Sequence, residues 1–364
     1  MQSASTKPSS HSPGVGAQPK RGLWLLVAER RAADGRTGAE TGYASNTESA
    51  SSKRRCTRRR LSGSREAICC SPVTATTRRR TSHMSRGTHR PTPGSDLPTF
   101  PSARLLAEGD SWFTLNTTPL PGKPQNLLHQ LRFHKATEII NLARPGDHIR
   151  RMAAIASNPA LKLALSGGDR RWNAILLSGG GNDFIEEAKN ILLKRTQRPA
   201  GSRDPADFCD QARIRALVDE IQRAYRRIAA LRDRPTGPGT RIPILTHTYD
   251  YATPRDAPAR FFFRRLGPWL VKAMRQGDVP QQHWVPIADY LANTLAEALL
   301  DLTRGPNAIR NFHVVETRNT LKRAELGAKG DSNDWLNEIH PNAAGYDKLA
   351  QRIEPILEPL IGTV

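Results

Sequence analysis

From about residue 101 onward, short apolar runs alternate with amphipathic stretches. Five of the runs read as strands, at residues 104–108, 137–142, 173–177, 242–246 and 312–316. Each is apolar or β-branched and soon meets Gly, Asn or Asp, the residues that end strands. Between them lie helical patterns. Over residues 290–302, Leu291, Leu295, Ala298 and Leu302 fall on one face, and over 343–357 Tyr346, Leu349, Ile353 and Ile356 do. Strand–helix alternation of this kind predicts a parallel sheet covered by helices on both faces, a three-layer α/β/α domain. Pro-rich stretches at 198–207, 232–240 and 253–259 read as surface loops. There are no internal repeats, and one core is expected over residues 101–364.

The first hundred residues break this pattern. They hold 18 Lys and Arg against 6 Asp and Glu, so a quarter of the 364 residues carries more than half of the net charge of +21. Basic clusters occur at 53–55, 58–60 and 78–80, amid Ser, Thr and Gly. Such a segment buries too little apolar area to offset chain entropy, and a disordered basic tail is expected. An arm for nucleic acid is one reading. No aromatic residue lies between the clusters to stack on bases, which favours a dispensable tail or a start at Met84. Lys20 and Arg21 before the apolar run 22–28 resemble a signal peptide, but that run is minimal and Glu29-Arg30-Arg31 follows at once, so a cytoplasmic location is preferred. No run approaches the ~20 apolar residues of a membrane span.

Cysteine and histidine narrow the chemistry further. Of four cysteines only Cys209 falls in the expected domain, which excludes a disulfide framework there. His129 and His134 are five apart, the wrong spacing for a metal pair on one helix face. No metal and no cofactor are expected.

The candidate chemistry sits at the ends of the expected strands. Gly109-Asp110-Ser111 follows the first, Gly146 the second and Gly180-Gly181-Asn182-Asp183 the third. His340-Pro341 lies after the fifth, before the final helix. In a doubly wound sheet the ligand crevice lies beyond these carboxyl ends. A serine hydroxyl needs a neighbouring base to become a nucleophile, and His340 is the candidate base.

In these four motifs, in this order, residues 103–358 resemble the SGNH hydrolases, the GDSL esterase/lipase superfamily. The resemblance implies a flavodoxin-like five-stranded sheet and cleavage of carboxylic esters through an acyl-enzyme. It implies Ser111 as nucleophile, His340 as general acid and base, and an oxyanion hole from the backbone N–H groups of Ser111 and Gly146 with the side-chain amide of Asn182. A glycine at 146 leaves the backbone open to an acyl group.

One position departs from the family. The acid expected three residues before the histidine is Asn337 here. An amide oxygen can orient an imidazole but brings no negative charge. Asp334 is favoured as the orienting acid, then Asn337, then no third member, and the adjacent Glu338 is a further source of charge. A place near the N-terminus of the last helix would lower the His340 pKa. Trp112, Tyr249 and Asp183 are the candidate substrate contacts, although Asp110 and Asp183 also suit loop-fixing roles. His247 reads as a structural histidine and Phe261-Phe262-Phe263 as a buried helix face. The Gly-x-Ser-x-Gly elbow of the α/β-hydrolases is absent. Two other readings stay open: a catalytically silent binding protein on the same fold, or nucleic-acid binding through the tail.

Overall fold

Eight strands are present among the described residues: β1 (Leu25–Glu29), β2 (Ala103–Gly109), β3 (Thr137–Asn141), β4 (Ala174–Ser178), β5 (Ile244–His247), β6 (Ala259–Phe261), β7 (Arg264–Leu266) and β8 (Phe312–Val315). The structure, a computed structural model, describes residues 25–29, 101–114, 126–154, 156, 158–166, 172–261 and 264–362. All strands but β6 and β7 form one parallel sheet in the order β1-β3-β2-β4-β5-β8. Its five inner and C-terminal members are the strands read from the sequence. They follow the doubly wound order 2-1-3-4-5, with the switch point between β2 and β4.

The sixth strand is an addition from the segment expected to be a disordered tail. Leu25–Glu29 pairs with β3 from Leu25 opposite Thr137 to Glu29 opposite Asn141, so its apolar run covers a sheet edge that would otherwise expose unpaired backbone groups. The rest of that segment, with the basic clusters and Met84, lies outside the described residues.

The helices are α1 (Ser111–Thr114), α2 (Leu127–Gln130), α3 (Ile149–Met152), α4 (Pro159–Ser166), α5 (Gly181–Ile191), α6 (Gln211–Arg232), α7 (Leu270–Gln276), α8 (Trp284–Leu300) and α9 (Ala343–Gly362). Alternation along β2 and β4 sends Leu106, Ile175 and Leu177 to one face of the sheet and Leu105, Ala107, Ala174 and Leu176 to the other. Residues of α3 to α8 pack on the first face; those of α1, α2 and α9 pack on the second. The domain is therefore a three-layer α/β/α sandwich.

Three local expectations change. In α9 the apolar stripe continues through Leu357, while Ile356 is 39% exposed, because 3.6 residues per turn carries position 356 off the buried face. Residues 253–259 are not a surface loop: Thr253, Arg255 and Ala257 are buried, the last two against the loop that carries His340. Of Phe261-Phe262-Phe263, expected on a helix, Phe261 ends β6, which pairs antiparallel with β7, and the other two lie outside the described residues.

Candidate active site

β2 delivers Ser111 to the switch point. Gly109 lies so close to β4 that a Cβ there would stand 2.9 Å from both the Cβ and the carbonyl oxygen of Ser178. Beyond it the buried Asp110 carboxylate fixes the turn. It accepts from Trp112 N–H at 3.0 Å, from Ser178 Oγ at 3.0 Å and from the Tyr249 hydroxyl at 2.6 Å. Burial pushes its pKa up to about 6 against these three donors. Ser111 then opens α1, where its own N–H precedes the first intrahelical bond.

The loop after β3 is drawn to the same place. Asn141 donates from Nδ2 to the Phe113 carbonyl at 3.0 Å, and Arg144 N–H bonds the Gly109 carbonyl at 2.8 Å. Gly146 follows at φ +73, in the left-handed region that favours glycine, with nothing within 4 Å of where a Cβ would stand. Asn182, in the first turn of α5, donates from Nδ2 to the Asp147 carbonyl at 3.0 Å, and so is tied to the Gly146 loop. Its second amide hydrogen is left for another acceptor.

His340 meets this group from the opposite end of the sequence. Its Nε2 lies 2.7 Å from Ser111 Oγ, and its Nδ1 lies 2.9 Å from Asn337 Oδ1. Asn337 Oδ1 also accepts the backbone N–H groups of Ile339 at 3.1 Å and His340 at 3.0 Å. An oxygen receiving two N–H donors is the acceptor end of the amide, so Nδ1 carries the proton and Nε2 is free to take one from Ser111. Burial lowers the His340 pKa to about 4.

Asp334, the favoured orienter, stands elsewhere. Its Oδ2 accepts from Lys322 N–H and from Lys348 Nζ, both at 2.6 Å, so the carboxylate anchors the loop to α9. Nor does Glu338 face the imidazole. It is fully buried and accepts the backbone N–H groups of Arg255, Trp269, Leu270 and Val271, capping α7. Burial pushes its carboxyl up to about 7 against the pull of those four donors.

Arg255 holds the same loop from beneath, donating to the carbonyls of Ala328, Gly330, Trp335 and Asn337. Trp269 stands edge-on to His340 with ring centroids 6.0 Å apart, and helps to keep the imidazole only 4% exposed. None of these supporting roles was read from the sequence. Arg255 and Trp269 sit in loops without periodic signal, and in the sequence Glu338 reads only as a source of charge for His340.

The candidate substrate contacts divide. Trp112 and Tyr249 line a cavity beside Ser111, and their polar atoms are occupied: the indole N–H by the Ile339 carbonyl at 3.2 Å, the hydroxyl by Asp110. Asp183 is fully buried and bound to Ile149 N–H at 3.0 Å and Arg150 Nε at 2.9 Å, a tie between α3 and α5 rather than a substrate contact. His247 is buried under Trp112, with its ring stacked at 5.4 Å and its Nε2 3.2 Å from Ser178 Oγ. Among the described residues no three His, Cys, Asp or Glu side chains gather to hold a metal ion. No described helix is long and apolar enough to cross a membrane.

No protein-family model and no curated protein matches the sequence. Among solved structures, the chain is similar to an extracellular lipase from Streptomyces rimosus, at 15% identity and TM-score 0.41, over 71% of this chain and 100% of that one. It is also similar to an acetylxylan esterase from Geobacillus stearothermophilus, at 13% identity and TM-score 0.34, over 72% of this chain and 95% of that one.

Proposed function

We propose that this protein is a serine ester hydrolase of the SGNH type, acting through an acyl-enzyme. The observation that carries the reading is the 2.7 Å contact between Ser111 Oγ and His340 Nε2, with Nδ1 held by Asn337. A histidine in that tautomer, neutral over the physiological range, is a base ready to take the serine proton.

Ser111 Oγ attacks the ester carbonyl while His340 Nε2 takes its proton. The carbonyl oxygen becomes an oxyanion, received by the N–H groups of Ser111 and Gly146 and the amide of Asn182. Collapse breaks the bond to the alcohol, which leaves with the proton from His340. Water then repeats the sequence in reverse and frees the acid. Asn337 orients the imidazole without neutralising the imidazolium, so the catalytic group is a Ser-His-Asn set. Support for the oxyanion hole comes from the open backbone at Gly146 and the tie from Asn182 to its loop.

The test is hydrolysis of short p-nitrophenyl esters by the wild type and by Ser111→Ala. A loss of roughly a thousandfold or more in kcat is expected, as for removal of a serine nucleophile. Equal rates for the two proteins would overturn the reading.

A further inference from the structure

Beside Ser111 lies a cavity of about 90 Å³ between α5, α7 and α8. One wall is a stripe of α8: Ala288, Leu291, Ala292 and Leu295 stand at i, i+3, i+4 and i+7 and so share a face. Phe184 and Ile339 close it from α5 and from the His340 loop. The two alanines in an otherwise leucine-like stripe are what leave the space open.

Both carboxyls and most other polar groups in the described lining of this cavity are already committed. Its lining carboxyls are Asp110 and Asp250. Asp110 is bound as described, and Asp250 accepts the backbone N–H groups of Tyr251, Asn319, Thr320 and Leu321. The Tyr249 hydroxyl and the Trp112 indole N–H are likewise occupied, and the Trp335 indole N–H, buried without a partner, is the exception. Beyond Ser111 and Asn182, the described lining therefore offers a guest methyl and ring surface and no unpaired charge.

We propose that this cavity is the acyl site and takes an unbranched apolar acyl chain of medium length, in preference to an acetyl group. The proposal rests on the reading of Ser111 as nucleophile. A water-sized group needs roughly 10–15 Å³ of such space, which makes room for about six to eight carbons. Polar acyl groups would lose hydrogen bonds to water there and find few replacements in the described lining.

A chain-length series tests it: p-nitrophenyl acetate, butyrate, octanoate and palmitate with the wild type, Ala292→Phe and Ala288→Leu. Each methylene moved fully from water is worth roughly fourfold, so even half of that free energy, about twofold for each of six methylenes, should raise kcat/KM at least about thirtyfold from acetate to octanoate, with a fall at palmitate. Filling the cavity with Ala292→Phe or Ala288→Leu should cost most of that gain and leave acetate within about threefold. The proposal is overturned if octanoate is no better than acetate in the wild type, or if the folded variants lose all esters equally. Calorimetric titration of Ser111→Ala with sodium octanoate separates the two claims. Octanoate bound by Ser111→Ala and refused by Ser111→Ala/Ala292→Phe, with no ester cleaved by the wild type, would keep the cavity assignment and sink the hydrolase reading. Acetate cleaved with no dependence on length would do the reverse.

Discussion

The two halves of the candidate site are held in different ways. The nucleophile half, Gly109 to Phe113, leaves a central strand of the sheet, braced by Ser178 and Asn141 from the ends of the two neighbouring strands and by Tyr249 from just beyond β5. Its rigidity is that of the sheet. The base half, residues 335–341, has no strand or helix of its own. It is a loop suspended from Arg255, Glu338 and Asp334, whose partners lie up to 83 residues away along the chain. One half is positioned by secondary structure, the other by buried polar side chains. Disturbing distant groups should therefore unseat His340 while leaving Ser111 in place.

Arg255→Met offers the sharpest break of that contrast. It strips the guanidinium from the carbonyls of Ala328, Gly330, Trp335 and Asn337, and leaves buried acceptors without donors. Urea denaturation should register a loss on the order of 3–5 kcal/mol, and the part that stays folded should have a reduced kcat. Unchanged stability would mean that the loop holds itself.

The matching change on the nucleophile side is Asn182→Ala. Removing one donor from an oxyanion hole costs roughly 10²–10³ in kcat, about 2.7–4 kcal/mol, with the fold intact. A loss confined to KM would place Asn182 in binding instead of in charge stabilisation.

Asn337→Asp sharpens the comparison by changing charge without changing shape. Since burial holds the wild-type His340 pKa at about 4, the base stays neutral well into acid and kcat/KM should hold level down to nearly pH 5. A carboxylate 2.9 Å from Nδ1 stabilises the imidazolium, so the acid limb should rise by roughly one to three pH units. The same charge favours the protonated histidine formed during attack, and the plateau rate should increase. An unmoved limb would indicate that another group controls it.

Asp334→Ala should have the smallest effect. Its partner Lys348 is half exposed, so the ion pair contributes about 0–1 kcal/mol, and the bond from Lys322 N–H adds about 0.5–1.5 kcal/mol. Activity should stay within about threefold of the wild type. A large fall in kcat with an altered pH profile would restore Asp334 as the orienter.

The amino-acid pattern by itself determined the layers. Runs such as 104–108 and 173–177 are apolar on both faces, which only a sheet covered on both sides can satisfy, and Gly or Asn punctuation marks where the chain leaves it. Ser111, Gly146, Asn182 and His340 were legible for the same reason, since each follows a strand whose end was already visible. Only the tertiary structure decided which group holds His340, that Asp183 ties α3 to α5, and that residues 25–29 join the sheet. Asp334, Asn337 and Glu338 are alike in sequence as acceptors near a histidine. Which one it uses depends on donors brought from the segment after β5, from α7 and from α9, and periodicity carries no record of contacts between such distant, irregular segments. The cavity beside Ser111 belongs to the same class: two alanines on α8 leave it open, and they come to its side only once the helix is packed.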